Sequence, residues 1–392
     1  MTDHQYTNKN NTSPLGGGKE GASSRIIISG GGTGGHIFPA IAIANALKAI
    51  DTKIEILFVG AKDRMEMEKV PAAGYKIIGL PIAGIQRRNV FKNFTVAFKL
   101  IKSIFLANKI IKEFKPQVVV GVGGYASGPM LRAANKHKIP TAIQEQNSFA
   151  GITNKLLAKK ANRIFVAYNG MEKYFPEEKI MIVGNPVRKD LENVSAMRKE
   201  AIKYFGLEEN KTTILSLGGS LGARTINQSI IQSLVKIGRS NIQWIWQSGS
   251  YYYQNAKLVL ETAGFKNIKL FDFITRMDLA YAAADIIISR AGASSISELC
   301  IVAKPAILVP SPNVAEDHQT KNALALVDKK AAILIRDADA MEKMVNSALE
   351  LAEDKERQKI LATNISSLAL HNSADNIAKT IFEIIKAPPI LP

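Results

Sequence analysis

Residues 25–36 read RIIISGGGTGGH, in which a run of β-branched residues passes directly into a segment where five of six positions are glycine. A short apolar run of this kind predicts a strand buried on both faces, and the glycines predict a tight turn into a helix. Residues 214–222, ILSLGGSLG, repeat the same order in the second half of the chain. The chain therefore contains two α/β units that open in the same way.

Short apolar runs alternate with longer amphipathic stretches after each opening, an order typical of a parallel sheet covered by helices. The 392 residues suffice for two domains, and Asn185-Pro186 is a turn signal between the two series. We therefore expect an α/β protein with two Rossmann-like, doubly wound domains that face a central cleft. The expected limits are a disordered tail over residues 1–24, a first domain over 25–185 completed by a C-terminal helix at about 371–388, and a second domain over 186–370.

The chain is strongly basic, with a formal net charge of +17. Such a surface attracts an anionic partner, and composition alone does not choose between nucleic acid, an acidic membrane and a phosphorylated substrate. The chain has no recognised nucleic-acid reader motif, so we expect no nucleic-acid partner. The single cysteine, Cys300, excludes an internal disulfide and lies in an apolar stretch typical of a helix. No apolar run is long enough to predict a signal peptide or a membrane span.

The two glycine-rich turns predict anion sites, because glycines let backbone N–H groups approach a phosphate at the start of a helix. The alternative is a tight turn that needs glycine only for its backbone angles. Gly30, Gly32 and Gly35 also match G-x-G-x-x-G, the pattern of dinucleotide-binding oxidoreductases. That interpretation lacks its acidic residue, because the next strand ends at Gly60-Ala61-Lys62.

Two further segments place polar groups where strands of an open α/β sheet end. Residues 289–298, SRAGASSISE, bring hydroxyls and then a carboxylate into a helix, which suits a phosphate and a ribose. The alternative is a capping box formed by Ser295 and Glu298. Residues 144–147, QEQN, form the second cluster, although a surface loop would have a similar composition. Asp337-Ala338-Asp339 resembles a metal-binding D-x-D, but Asp339 with Glu342 better predicts a helix cap, so we expect no metal site and no cofactor.

Residues 85–115 combine eight basic residues and one acid with apolar residues at helical spacing. This pattern predicts either an element at an anionic membrane surface or an ordinary helix that packs on the sheet. We expect part of the apolar stripe to pack inward while residues 85–91 and the lysines meet lipid.

Several motifs, taken together in this order and spacing, resemble one enzyme family, the N-acetylglucosaminyltransferases that convert lipid I to lipid II (the MurG family). The resemblance covers nearly everything from Arg25 onward. The motifs that carry it are 31–36, GGTGGH; 63–66, DRME; 123–129, GGYASGP; 145–147, EQN; 184–188, GNPVR; 218–223, GGSLGA; 290–298, RAGASSISE; and 317–319, DHQ, with Asn322-Ala323.

The resemblance implies a GT-B fold with an acceptor-binding first domain and a second domain that binds UDP-GlcNAc. The implied donor contacts are Thr33, Gly34, Gly35, Asn147, Arg188, Ser220, Ile274, Ala293, Ser294, Ser295, Ile296, Ser297, Glu298 and Gln319. Glycine loops and Ser220 suit the diphosphate, Glu298 the ribose, and Gln319 and Asn147 the sugar hydroxyls. The implied acceptor contacts are Gly123, Gly124, Tyr125 and Ser127, with a membrane-facing patch near residues 85–105.

The implied reaction is attack by the C4 hydroxyl of the N-acetylmuramoyl sugar of lipid I on the anomeric carbon of UDP-GlcNAc, with inversion, at the cytoplasmic face of the bacterial membrane. His36 and Glu145 are the candidates for the general base, and an ordinary pKa of about 6.5 favours the histidine. The family often has histidine where this chain has Gln144, so we expect residue 144 to support the site without acting in catalysis. The rival enzymes are a UDP-GlcNAc 2-epimerase and a transferase with another lipid acceptor.

Overall fold

The computed structural model describes residues 23–82, 92–219, 221–314 and 317–387. Its described strands form two sheets in which every neighbouring pair is parallel. The first sheet has the order β3-β2-β1-β4-β5-β6-β7 and the bounds β1 Arg25–Ser29, β2 Glu55–Ala61, β3 Lys76–Leu80, β4 Val118–Gly121, β5 Thr141–Glu145, β6 Arg163–Val166 and β7 Ile180–Ile182. The second has the order β10-β9-β8-β11-β12-β13 and the bounds β8 Thr212–Leu217, β9 Ile242–Gln247, β10 Ile268–Phe271, β11 Ile286–Ser289, β12 Ala306–Leu308 and β13 Ile333–Leu334.

Helices connect successive strands and cover both faces of each sheet, as parallel pairing requires. Their bounds are α1 Gly34–Ile50, α2 Glu66–Ala72, α3 Lys92–Phe114, α4 Ser127–Lys136, α5 Ile152–Ala158, α6 Arg198–Phe205, α7 Arg224–Gln232, α8 Leu234–Gly238, α9 Tyr253–Ala263, α10 Met277–Ala283, α11 Ala293–Val302, α12 His318–Val327, α13 Ala340–Glu353, α14 Lys355–Ser366 and α15 Ser373–Lys386. The prediction of two Rossmann-like domains is therefore confirmed. None of the described helices has the length and apolar content needed to span a membrane.

The three central residues of strand β1 are apolar because both faces of the strand are buried. Ile26 and Ile28 pack on one side of the first sheet with residues of α1, while Ile27 packs on the other side with residues of α3 and α4. A strand that buries both faces cannot alternate apolar and polar residues. The apolar run at 26–28 thus reflects a central position in the sheet.

The last helix returns to the first sheet. Ile377, Ala378 and Ile381 of α15 belong to the same buried cluster as Ile26 and Ile28, and α15 packs against α1. The chain therefore crosses between the two sheets twice, once after β7 and once before α15. The domain limits at residues 185 and 370 stay predictions, and residues 1–22 of the predicted tail lie outside the described residues.

We predict that Ile381→Ala destabilises the first sheet selectively. Removing a fully buried aliphatic side chain costs about 2–5 kcal/mol, because a cavity remains. Hydrogen exchange should therefore accelerate at the amides of β1 and stay unchanged at those of β8. The matched control is the exposed Lys379→Ala on the same helix, and equal acceleration in both variants would contradict the assigned packing.

Candidate active site in the cleft between the sheets

A cavity of about 1240 Å³ lies between the two sheets and is lined by residues of both. Its walls come from loops that follow the carboxyl ends of β1, β8 and β11, where open α/β sheets place their ligands. The structure brings nine of the expected donor contacts to this cavity: Gly34, Gly35, Arg188, Ile274, Ala293, Ser294, Ser295, Glu298 and Gln319.

The first glycine loop is fixed by the buried carboxylate of Glu66, a residue to which the sequence motifs assigned no role. Glu66, the first residue of α2, accepts hydrogen bonds from Gly32 N and Ala61 N, both at 2.8 Å. Gly31 has a φ of +143°, and a Cβ built on it would lie 2.3 Å from Glu66 Oε1. Glycine is therefore required here both for the backbone angle and for the close approach of Glu66.

His36 lies in the first turn of α1, directly after this loop. Its Nδ1 is 3.2 Å from Thr33 Oγ1, and a Cβ built on Gly123 would lie 2.8 Å from its Nε2. Burial lowers the pKa of His36 below its ordinary value, and the negative charges of Glu145 and Glu66 partly oppose that shift. His36 is therefore neutral near pH 7, the form that can accept a proton.

Glu145, the other candidate base, is occupied by its own loop. This buried carboxylate accepts hydrogen bonds from Gly151 N at 3.0 Å, Asn154 Nδ2 at 2.9 Å and Asn147 N at 3.1 Å. Asn147 Nδ2 also points at Glu145, at 3.3 Å, so this side chain lies in the same network. Both carboxylate oxygens thus fix residues 145–154, an arrangement that favours His36 as the base.

The loop expected to bind the acceptor packs directly on the first glycine loop. Gly31 N donates to Gly123 O at 3.3 Å, and a Cβ built on Gly124 would lie 2.4 Å from Gly31 O. Ser127 is buried, with its hydroxyl 2.7 Å from Ser29 O and 3.0 Å from Gly123 O, whereas Tyr125 is exposed. Ser127 therefore joins the two loops, and their acceptor role stays a prediction.

The start of α11 supplies most of the polar groups on the opposite wall. Glu298 accepts a hydrogen bond from Tyr281 Oη at 2.8 Å, and burial raises the pKa of Glu298 while the charge of Arg188 opposes the rise. Within the described part of the chain, Ser294 Oγ and Arg188 Nη2 are buried without a hydrogen-bond partner. Buried polar groups are normally paired, so these two are available to a ligand.

Two sequence interpretations of caps need correction. Helix α11 begins at Ala293 after Gly292, so Ser295 lies inside the helix and forms no capping box with Glu298. Asp339 precedes α13, but its side chain makes no capping hydrogen bond. Asp337 instead pairs with Arg290 and accepts from Thr225 Oγ1 at 2.8 Å, so the D-x-D motif builds the cavity wall.

The remaining expected contacts lie around the cavity or outside the described residues. Gln319 lines the cavity, with its Oε1 accepting from Ser311 N at 2.8 Å. Among the described residues, Thr33, Asn147, Ile296 and Ser297 do not line it. Ser220 lies outside the described residues, as do residues 85–91 of the expected membrane patch. Two further residues line the cavity without having been expected as contacts: Tyr281 lies outside every motif, and Arg290 opens the 290–298 motif, whose hydroxyls and carboxylate carried the prediction.

Comparison with known proteins assigns the chain to a family. The model of the glycosyltransferase family 28 N-terminal domain matches residues 26–166, and that of the family 28 C-terminal domain matches residues 213–381. The chain belongs to glycosyltransferase family 28. The two family 28 domains contain the first sheet up to β6 and the whole second sheet.

Curated relatives within family 28 cover nearly the whole chain. A Parabacteroides distasonis protein is 60% identical over 361 residues, which are 92% of this chain and 98% of the relative. A Porphyromonas gingivalis protein is 53% identical over 366 residues, covering 93% of this chain and 97% of the relative. Both are named UDP-N-acetylglucosamine--N-acetylmuramyl-(pentapeptide) pyrophosphoryl-undecaprenol N-acetylglucosamine transferase. The family resemblance read from the motifs is confirmed.

Solved structures confirm the GT-B prediction. The crystal structure of Acinetobacter baumannii MurG matches with a TM-score of 0.75 and 27% identity, covering 92% of this chain and 99% of that one. A UDP-GlcNAc 2-epimerase from Neisseria meningitidis matches with a TM-score of 0.61 and 15% identity, covering 92% of this chain and 100% of that one, a likeness of fold alone.

We predict that Glu66→Gln lowers the pKa of His36 further. Removing a negative charge near the imidazole destabilises its protonated form, so the pKa falls. An NMR titration of the His36 ring measures the shift without requiring turnover. The control is Glu68→Gln on the same helix, whose side chain is exposed. A pKa of His36 that rises in Glu66→Gln would contradict the assigned arrangement.

Proposed function

We propose that this chain transfers GlcNAc from UDP-GlcNAc to the C4 hydroxyl of the N-acetylmuramoyl sugar of lipid I, with inversion, and so forms lipid II for peptidoglycan synthesis. The observation that carries the proposal is the cavity itself, where, among the described residues, Ser294 Oγ at the start of α11 and Arg188 Nη2 have no hydrogen-bond partner and lie opposite the glycine loop that precedes His36. The names of relatives at 53–60% identity supply the substrates.

The donor fits the wall built by the second domain. Backbone N–H groups at the start of α11 and the guanidinium of Arg188 suit the diphosphate, because helix N-termini and arginine both favour anionic oxygens. The carboxyl group of Glu298 suits the ribose hydroxyls, and its bond to Tyr281 fixes its orientation. These contacts stabilise the UDP that leaves as the sugar is transferred.

The acceptor reaches the cavity from the first domain in this proposal. His36 accepts the proton of the attacking hydroxyl, since burial keeps its imidazole neutral and Thr33 contacts its Nδ1. The Gly123–Ser127 loop lies against the glycine loop that precedes His36. Among the acceptor residues expected from the motifs, Tyr125 is the exposed side chain in a position to contact the substrate.

The chain also carries a surface suited to a membrane-linked acceptor. Ala107, Ile110 and Ile111 of α3 pack inward, while Phe98 and Phe105 are 69% and 73% exposed among lysines at 99, 102, 109 and 112. Exposed aromatics within a basic helix favour the interface of an anionic bilayer. This surface supports the proposal that the enzyme is a peripheral protein of the membrane, and we propose that it acts at the cytoplasmic face.

Incubation with radiolabelled UDP-GlcNAc and a lipid I analogue tests the proposal. The expected products are a labelled lipid that has gained one GlcNAc and free UDP released from the donor. Consumption of UDP-GlcNAc without an acceptor, by epimerisation or hydrolysis, would refute the transfer reaction. Label in a different lipid acceptor, with none in the lipid I analogue, would also refute it.

We predict that His36→Ala lowers kcat by roughly 10²- to 10⁴-fold, the usual loss when a positioned base is removed. Circular dichroism should show an unchanged fold. Glu145→Gln serves as the comparison, and its kcat should fall less, since the carboxylate is already bonded to its own loop. Near-normal kcat in His36→Ala with none in Glu145→Gln would assign the base to Glu145.

We predict that replacing both Phe98 and Phe105 with Ser reduces sedimentation with phosphatidylglycerol vesicles while turnover of a water-soluble acceptor is retained. The control replaces Tyr251 and Leu258 with Ser, two residues of the second domain that are 82% and 65% exposed. Equal sedimentation of the two double variants would move the membrane contact away from α3.

A further inference from the structure

Asn185 lies in the connection between the two sheets, and its side chain joins them. This buried amide donates from Nδ2 to Gln146 O at 3.0 Å in the first domain and to Ser297 Oγ at 3.0 Å in α11. Nδ2 also lies 3.4 Å from Ala293 O, in the first residue of α11. Its Oδ1 accepts from Gln144 Nε2 at 3.0 Å. One side chain thus bonds the end of β5 and the start of the helix that lines the donor wall.

The hydrogen bonds continue through two more buried amides. Gln144 Oε1 accepts from Gln146 Nε2, and Gln146 Nε2 also donates to Val122 O at 2.7 Å. We call Gln146, Gln144, Asn185 and Ser297 the amide relay. At one end the relay bonds Val122, which precedes the Gly123 that His36 packs against, and at the other end it reaches Ser297 in the second turn of α11.

The orientation of every side-chain amide in the relay is set by the backbone carbonyl groups at the two ends of the relay. Val122 O, Gln146 O and Ala293 O are carbonyls that can only accept, so the amide nitrogens of Gln146 and Asn185 must face them. Asn185 Oδ1 is then left to accept from Gln144, whose own oxygen is left to accept from Gln146. A reversed amide at any position would place two donors or two acceptors together.

The relay also fixes a buried acceptor beside His36. With Nε2 bonded twice, Gln146 Oε1 lies 3.7 Å from the position of a Cβ built on Gly123, and His36 Nε2 lies 2.8 Å from the same point. Gln146 Oε1 has no hydrogen-bond partner within the described part of the chain. The acceptor end of the relay and the imidazole therefore border the same space beside Gly123.

We propose that the amide relay is a positioning device that sets the donor helix α11 relative to His36, so that the two halves of the active site are aligned across the domain connection. The inference rests on the function proposed above. Gln144 and Asn185 act through their neighbours and touch neither substrate. Because all the relay amides are buried, breaking one leaves its neighbours unsatisfied and removes a constraint on the orientation of Asn185, the side chain that bonds α11.

Three variants at residue 144 test the polarity of the relay. Gln144→Met keeps the size and removes both hydrogen bonds, so kcat should fall roughly 10- to 100-fold. Gln144→Glu puts an acceptor against Asn185 Oδ1 and should lose at least as much. In Gln144→His, a neutral imidazole can donate from one nitrogen and accept at the other, so activity should return near pH 8.

The histidine variant adds a readout that a merely structural role would not show. When the introduced imidazole is protonated, at a pH below the ordinary histidine pKa of about 6.5 because the position is buried, both ring nitrogens are donors and one of them opposes Gln146 Nε2. The ratio of kcat/KM in Gln144→His to that in the wild type should fall as the pH drops from 8 to 5.5. His36 and Glu145 are the titratable groups nearby. Both are present in the variant and in the wild type, so their contributions to the pH dependence cancel in this ratio. The ratio for Gln144→Met should stay constant over the same range.

A double-mutant cycle tests whether the relay acts as a unit. The effects of Gln144→Met and Ser297→Ala on kcat/KM should not multiply, because Gln144 acts on α11 through the Asn185–Ser297 bond that Ser297→Ala removes. The control pairs Gln144→Met with Ser148→Ala, which removes a separate bond between the domains, from Ser148 Oγ to Asn322 Oδ1 at 3.1 Å. Those two effects should multiply.

The possible outcomes separate the relay from the proposed function. A wild-type chain that transfers no sugar overturns the proposed function and the relay with it. An active wild type in which Gln144→Met keeps kcat within twofold, or in which Gln144 and Ser297 give independent effects, overturns the relay alone. A Gln144→His variant as impaired at pH 8 as Gln144→Met also overturns the assigned polarity.

Discussion

The close approach of two backbone loops is the constraint on which the rest of the site depends. Gly31 N bonds to Gly123 O, and there is no room for a Cβ on Gly31, Gly123 or Gly124. Because the loops touch without side chains, Glu66 can bond the first of them from one side and His36 can pack against the second. The position of the imidazole therefore follows from three glycines and one buried carboxylate.

Burial gives the charged groups of the cleft their chemical character. It lowers the pKa of His36 and raises that of Glu298, so each group is moved toward its neutral form. Arg188 opposes the shift at Glu298, while Glu145 and Glu66 oppose it at His36. The first domain thus holds a neutral base directly after the glycines of its wall, and the second domain holds a cation next to a carboxyl group, a division that suits proton transfer on one side and anion binding on the other.

Polar side chains join the two halves of the site at the domain connection. Asn185 joins Gln146 to Ser297, and Ser148 bonds to Asn322. Directional hydrogen bonds fix orientation more narrowly than apolar packing does, because each needs a matched donor and acceptor. This is the physical basis on which alignment of the donor helix with His36 depends.

The sequence by itself determined the two parallel α/β units, the glycine loops and the family, because strand burial, turn angles and local motifs are properties of neighbouring residues. Only the tertiary structure decided that Ser127 bonds to Ser29 and that Asp337 pairs with Arg290. It also decided that α11 begins at Ala293, after Gly292, so that Glu298 is not part of a capping box. It likewise joined Gln144 to Asn185, 41 residues away. Partners so distant in the chain leave no local pattern, since only the folded sheets bring their donors and acceptors together.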